Sequence, residues 1–194
     1  MLSLQKILDM NTSLKISVFC GSRIGKNPAY IAAAKRMGKL FADNDITLVY
    51  GGGKVGLMGI LADEILQNGG KVIGVLPRFF DFNLVGHANL TEMIYVDTMN
   101  ERKYKMEKMS DAFIALAGGY GTLDEVFEMV SNLKLHQHNS PVALLNTEHF
   151  YDYQIKQLDV MLREGFIDNY DYELLIKDAT PEGLLQKIFE RIKK

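Results

Sequence analysis

The stretch Ala117-Gly118-Gly119-Tyr120-Gly121-Thr122-Leu123-Asp124-Glu125 constrains the fold of this chain more than any other. It follows the apolar run Asp111 to Leu116 and opens the helical pattern Leu123 to Leu135, so it reads as strand, turn and helix start. Gly118, Gly119 and Gly121 allow an anion to approach the backbone N–H groups, and the helix N-terminus behind them carries partial positive charge. A plainer reading fits the same letters. Thr122 reads as an N-cap and Glu125 as its capping-box partner, and for the turn in isolation this is the simpler account. The spacing is not G-x-G-x-x-G, so it points to an anion site without naming a chemistry.

The remaining elements supply the context. Residues 1–13 read as an N-terminal arm and 14–194 as one domain. Lys15 to Cys20 reads as a first strand ending at Gly21-Ser22-Arg23, and Pro28 to Ala42 as a helix with Pro at its first position after Asn27. Ile46 to Tyr50 is a second strand running into Gly51-Gly52-Gly53, followed by a helix over Leu57 to Gln67 and a third strand over Lys71 to Leu76. Phe79 to Asn89 is expected to be an irregular loop with an exposed Phe79-Phe80 pair. A short strand at Met93 to Val96 and a helix at Met99 to Met109 lead to the opening stretch. A strand at Pro141 to Leu145, a helix at Tyr151 to Arg163, a strand near Leu174 to Ile176 and a helix at Glu182 to Lys193 complete the pattern. Strands alternating with helices, joined by connections too long for hairpins, predict an α/β fold: a Rossmann-like doubly wound parallel sheet covered on both faces.

In such a sheet each strand delivers its following loop to one edge, where ligands bind. Gly21-Ser22-Arg23, Gly51-Gly52-Gly53, Met99 to Lys103 and Gly118 to Thr122 all reach that edge, and three of the four carry glycine. Their convergence is stronger evidence than any single motif. Arg102 adds a charge, since Met99, Arg102, Met106 and Met109 share one helical stripe that is otherwise core-like. A guanidinium on that stripe needs an anion, and its candidates are a ligand phosphate and Glu125.

Other signals carry less. Gly53-Lys54 is not a P-loop, because Val55 stands where Ser or Thr would hold magnesium, and Lys54 is expected to be exposed. His136 and His138 are two apart near a helix end and suit the helix dipole better than a metal. Cys20 reads as a small buried residue, His87 and His149 have no readable partners, and Met99 and Tyr120 lie close enough to the crevice to touch a base. The 22 basic and 24 acidic residues are interspersed, giving no footprint for nucleic acid or an anionic membrane. A single cysteine excludes an internal disulfide, and no apolar run approaches a membrane span or a signal-peptide core. A cytoplasmic protein acting on a small molecule is the expectation.

These residues resemble the LOG (Lonely Guy) family, cytokinin-activating nucleoside 5′-monophosphate phosphoribohydrolases often misnamed lysine decarboxylases. The resemblance runs through Cys20-Gly21-Ser22, Gly51-Gly52-Gly53 with Gly56-Leu57-Met58-Gly59, Met99-x-Glu101-Arg102-Lys103, Asp111 to Leu116, Gly118 to Glu125 and Gly165-Phe166-Ile167. Its paired signature is Arg-Lys on one helix with P-G-G-x-G-T-x-x-E on the next turn. Ala117 replaces the Pro of that pattern, Asn100 stands where many members have His, and Phe79-Phe80 where some have an acidic residue. The resemblance implies hydrolysis of the N-glycosidic bond of AMP or an N6-modified AMP to free base and ribose 5-phosphate, with no metal or redox cofactor, in a homodimer. It implies catalytic roles for Arg102 and Glu125. Substrate contacts are implied for Gly21, Ser22, Gly52 and Gly53, for Met99, Arg102 and Lys103, and for Gly118, Gly119, Tyr120, Gly121, Thr122 and Glu125. The alternative is a non-catalytic nucleotide or molybdenum-cofactor carrier of the same superfamily, which would keep the glycine loops without needing both Arg102 and Glu125.

Overall fold

The computed structural model describes residues 14–80 and 82–193, so the expected N-terminal arm lies outside the described residues. Strands β1 (Lys15–Phe19), β2 (Thr47–Tyr50), β3 (Val72–Pro77), β4 (Glu92–Val96), β5 (Ala112–Ala115), β6 (Val142–Leu145) and β7 (Leu175–Asp178) form one sheet. Its order is β4-β3-β2-β1-β5-β6-β7, with every neighbouring pair parallel. This is the expected α/β Rossmann-like architecture.

The apolar alternation within the strands explains the two layers of helices. On β1 and β5, Ile16, Val18, Ala112 and Ile114 face one side, against Met37 and Phe41 of α1 (Pro28–Asp43), Leu61 and Ile65 of α2 (Gly56–Gln67) and Leu184 and Ile188 of the C-terminal helix Pro181–Ile192. Phe19, Phe113 and Ala115 face the other side, against Met106 of α4 (Met99–Met109), Val126 and Met129 of α5 (Tyr120–Lys134) and Leu158 of α6 (Asp152–Arg163). Each fully buried side chain of this kind contributes about 1.5–3 kcal/mol relative to exposure. Together they hold the sheet between two dry interfaces.

Local chemistry sets the helix starts. At α1 the Asn27 side chain accepts from the Ala29 N–H at 2.9 Å, with Pro28 at the first helical position. At α4 Thr98 Oγ1 accepts from Glu101 N–H at 3.1 Å, while Glu101 Oε2 accepts from Asp97 N–H at 2.8 Å. Two elements depart from expectation. The segment Phe79 to Asn89 is not wholly irregular: it contains the one-turn helix α3 (Phe82–Val85), and Gly86 bridges to Gly53. A second short helix, α7 (Asn169–Leu174), begins at an Asp168–Asp171 capping box just before β7; the C-terminal helix is accordingly α8.

The order of strands locates the ligand edge. From β1 the chain builds outward through β2 and β3 to β4, then α4 returns it to β5 on the opposite flank of β1. The loops after β1 and β5 therefore diverge from adjacent strands, which opens a crevice at their carboxyl ends. They are laced together: Leu116 N–H donates to Phe19 O at 2.9 Å and Gly21 N–H to Ala117 O at 3.0 Å. Gly21 O accepts in turn from Leu57 N–H at 3.0 Å, tying in α2. Gly56, just before, has φ +65°, and a side chain there would collide with the Ser22 backbone, so this junction requires glycine.

Candidate active site

A cleft of about 540 Å³ opens at this switch point. One half of its wall is apolar, formed by Val55, Met58, Leu76, Phe80, Val85 and Met99, and the other is polar, formed by Ser22, Arg102, Thr122, Glu125 and the backbone from Gly119 to Gly121. The size and the mixed lining suit a small organic ligand carrying a charged group.

Arg102 and Glu125 meet at the polar end. The Arg102 side chain projects from the first turns of α4; its Nη1 donates to Glu125 Oε1 in a close ion pair, and its Nε donates to the Val75 carbonyl at 3.2 Å. Both residues are buried, at 8% and 9% exposure. Burial pushes the Glu125 carboxyl above its ordinary pKa, with Arg102 pulling in the opposite direction. Gly51 completes the arrangement by lacking a side chain, since a Cβ there would overlap Arg102 Nη2.

The start of α5 presents open backbone donors that can accept an anion. Its N-cap is Gly119, which offers no side chain to the helix, and Leu123 N–H is the first to bond back, to Gly119 O at 3.2 Å. The N–H groups of the preceding first-turn residues lack intrahelical partners and carry the positive end of a four-turn dipole. Here the structure corrects the capping-box reading. Thr122 and Glu125 lie inside the helix, Thr122 is buried with its hydroxyl packed on Gly118, and Glu125 turns to Arg102.

Of the sequence-nominated residues, Gly21, Ser22, Gly53, Met99, Arg102, Gly119, Tyr120, Gly121, Thr122 and Glu125 border the cleft. Tyr120 stands at its mouth, 95% exposed. Gly52, Gly118 and Lys103 do not border it. Gly52 has φ +75° and packs on Met93 and Leu76, and Gly118 packs on Thr122 and Gly21. Lys103 points away, toward Asp124 at 3.2 Å and Glu128. Cys20 lines the floor, and burial raises its thiol pKa, which leaves it unsuited to act as a thiolate nucleophile.

Sequence reasoning missed two contributions. His87 has partners after all: Nε2 lies 3.0 Å from Asp63 Oδ1, Nδ1 accepts from Asn89 N–H at 3.2 Å, and its backbone N–H holds Gly52 O at 3.0 Å. It thereby ties the glycine loop after β2 to α2. The apolar wall residues Met58, Leu76 and Val85 were also unread, because single apolar residues beside turns look like core. His138, assigned to the helix dipole, instead hydrogen-bonds Met129 O at 3.0 Å through Nε2, and burial lowers its pKa, so it serves as a neutral donor.

A doubly wound parallel sheet with a charged pair and an open helix terminus at its switch point defines the class as α/β, Rossmann-like. Comparison makes this specific. Residues 58–188 match the family model described as "Possible lysine decarboxylase". An Oryza sativa subsp. japonica protein named "Probable cytokinin riboside 5′-monophosphate phosphoribohydrolase" is 40% identical over 174 residues, covering 90% of this chain and 78% of the relative. An Arabidopsis thaliana cytokinin riboside 5′-monophosphate phosphoribohydrolase is 39% identical over 176 residues, 91% of this chain and 82% of its own. The chain belongs to this LOG family. Among solved structures, the molybdenum cofactor binding protein of Rippkaea orientalis superposes with TM-score 0.69 at 24% identity, over 95% of this chain and 99% of that one. The molybdenum cofactor carrier protein of Chlamydomonas reinhardtii gives 0.68 at 20%, over 94% and 100%. At these identities the likeness is one of fold.

The decarboxylase description does not fit the donor set. A pyridoxal-phosphate enzyme needs a lysine in the site to form its Schiff base, and no lysine borders the cleft among the described residues. Lys54 instead donates to Asn83 O at 2.7 Å, and Lys103 is engaged by α5 carboxylates.

Proposed function

We propose that the chain hydrolyses the N-glycosidic bond of a purine nucleoside 5′-monophosphate, releasing free base and ribose 5-phosphate. The observation that carries this reading is the buried Arg102–Glu125 pair standing beside the open N-terminus of α5 in one cleft. A 5′-phosphate on the Tyr120 to Thr122 N–H groups would bring the ribose to Glu125 and the base toward the apolar wall. Glu125 in its ionised form stabilises the oxocarbenium-like transition state at C1′ and accepts a proton from the attacking water. The bond from C1′ to the base nitrogen breaks, the water oxygen bonds to C1′, and the base departs as its anion and takes a proton from solvent, while Glu125 later returns the water's proton to solvent. Arg102 cannot supply the base's proton, because guanidinium stays charged; it orients Glu125 and keeps a carboxylate possible in a buried place.

The names of the relatives support a cytokinin-type substrate, and so does the wall of Val55, Met58, Leu76, Phe80, Val85 and Met99, which suits a purine with a hydrocarbon substituent on N6. Phe79 and Phe80, both exposed with ring centroids 4.7 Å apart, stand at the rim where such a substituent would emerge. A homodimer burying part of this rim is the corresponding assembly, and light scattering at micromolar concentration tests it. The decisive experiment incubates purified protein with AMP and N6-isopentenyl-AMP and follows base and ribose 5-phosphate by chromatography. Wild type should release base, while Glu125→Gln, folded by circular dichroism, should bind nucleotide yet lose nearly all turnover. Tight nucleotide binding without any release by wild type would replace the hydrolase reading with the carrier one.

A further inference from the structure

We infer that Lys103 is a positioning residue that sets the charge state of Glu125 through the flanking carboxylates of α5, and does not bind substrate. The geometry is a double clamp between two helices. Arg102 and Lys103 are consecutive on α4, and consecutive helical residues point about 100° apart. Arg102 enters the cleft to meet Glu125, while Lys103 stays on the outer side of the seam and bridges Asp124 at 3.2 Å and Glu128. Those two acids are the sequence neighbour and the next-turn neighbour of Glu125 on α5. The Lys103 side chain is only 15% exposed although its partners lie nearer the surface, at 63% and 35%, so it is held along the seam and is not waving in solvent.

The electrostatic consequence follows from where each charge faces Glu125. Burial disfavours the Glu125 carboxylate most; from α4 come Arg102 and, with the smaller effect, Lys103, both favouring it. From α5 itself comes Asp124, which disfavours it, with Glu128 one turn on; the Cys20 thiol, just past the end of β1, lines the same cleft. Three carboxylates within five residues of one helix would push one another toward protonation. Lys103 offsets one of the two outer negative charges and so weakens the repulsion they exert on Glu125, which then stays ionised at lower pH.

This inference rests on the hydrolase reading for its effect on turnover, but it has a readout that does not. Carboxyl-13C NMR of glutamate-labelled protein, with the Glu125 resonance assigned by its loss in Glu125→Gln, measures the Glu125 titration directly. In Lys103→Met the titration should move up by about half to one pH unit, Lys103→Arg should restore it, and adding Asp124→Asn to Lys103→Met should bring it part of the way back. If the wild type turns over nucleotide, the acid limb of kcat/KM moves with it, with kcat falling on the acid side and KM little changed. If it does not turn over, the NMR shift still upholds the assignment while the hydrolase reading fails. A Glu125 titration unchanged in Lys103→Met, or a tenfold rise in KM with unchanged titration, overturns the inference; the latter would return Lys103 to substrate binding.

Discussion

Replacing Gly51 by alanine should disable the site without touching any group that does chemistry. Gly51 has no positive φ to forbid a side chain, but a Cβ built on it overlaps Arg102 Nη2, whose Nε is fixed on Val75 O and whose Nη1 is fixed on Glu125. The guanidinium must therefore move by roughly 1 Å, and a misplacement of that size costs on the order of 10²-fold, about 2.7 kcal/mol of transition-state stabilisation. Overpacking costs stability by about 1–3 kcal/mol, seen as a lower Tm with an intact circular dichroism spectrum. Arg102→Ala removes the same interaction outright and should cost about 10²–10³-fold. The assay is kcat/KM for all four members of the double-mutant cycle. If the methyl acts only through Arg102, then Gly51→Ala adds almost nothing in the Arg102→Ala background, and the coupling energy is about 2.7 kcal/mol. Additive losses, reaching about 10⁴-fold or more in the double variant, would refute the reasoning and place Gly51 in direct contact with the ligand instead.

Three further outcomes follow from the same geometry. Gly121→Ala introduces a side chain into open space within the first turn of α5, so it should stabilise the fold by about 0.5–1 kcal/mol while raising KM for nucleotide several-fold by shielding the N–H groups; a fall in both Tm and KM would contradict the anion site. Removing one partner of the buried pair, as in Arg102→Met, should cost about 3 kcal/mol in urea unfolding, whereas Arg102→Met with Glu125→Met should recover most of it and remain inactive; equal destabilisation by both would show that the pair holds the fold. His138 has a folded pKa below its unfolded value of 6.5, so the unfolded chain binds more protons as pH falls through that value. The stability it contributes is complete above pH 6.5 and is lost progressively below it. His138→Gln should show a smaller drop in denaturation midpoint between pH 7.5 and pH 5, and an unchanged drop would mean that other groups dominate.

The fold was legible because its signal is periodic and long. Apolar strands followed by glycine turns and amphipathic helices recur along the chain, and β1, expected at Lys15 to Cys20, is found at Lys15–Phe19. The helices α3 and α7 were not legible, since four and six residues are too few to display a 3.6-residue period. α7 did leave a trace in its Asp168–Asp171 cap, a D-x-x-D rather than the usual pairing. At the site the errors have a common cause. Thr122 and Glu125 are separated by three residues, the spacing of a capping box and equally of neighbours on an inner helical face, and local sequence cannot tell the two apart. What decides is Arg102, 23 residues away in sequence and adjacent only through the β4–α4–β5 crossover. That Lys103 lies off the cleft was hidden for a related reason: adjacency in sequence suggests a shared position, whereas the helix turns the two basic side chains to different sides of one seam.

The placement of the pair also explains why it is held at some cost to stability. A buried ion pair rarely stabilises a fold more than an apolar pair of the same volume would, because two charges must be desolvated. Leu76, Val75 and Met106 show that apolar packing was available at this seam. The seam nevertheless carries Arg102 and Glu125, with Gly51 kept bare to admit the guanidinium and Val75 O supplied to orient it. Core packing does not call for such provisions; the proposed hydrolysis, which needs an ionised carboxylate held in place beside the phosphate, does. On the proposed reading the switch point provides the crevice and α5 the anchor, leaving α4 to bring in the cations that make a buried carboxylate usable.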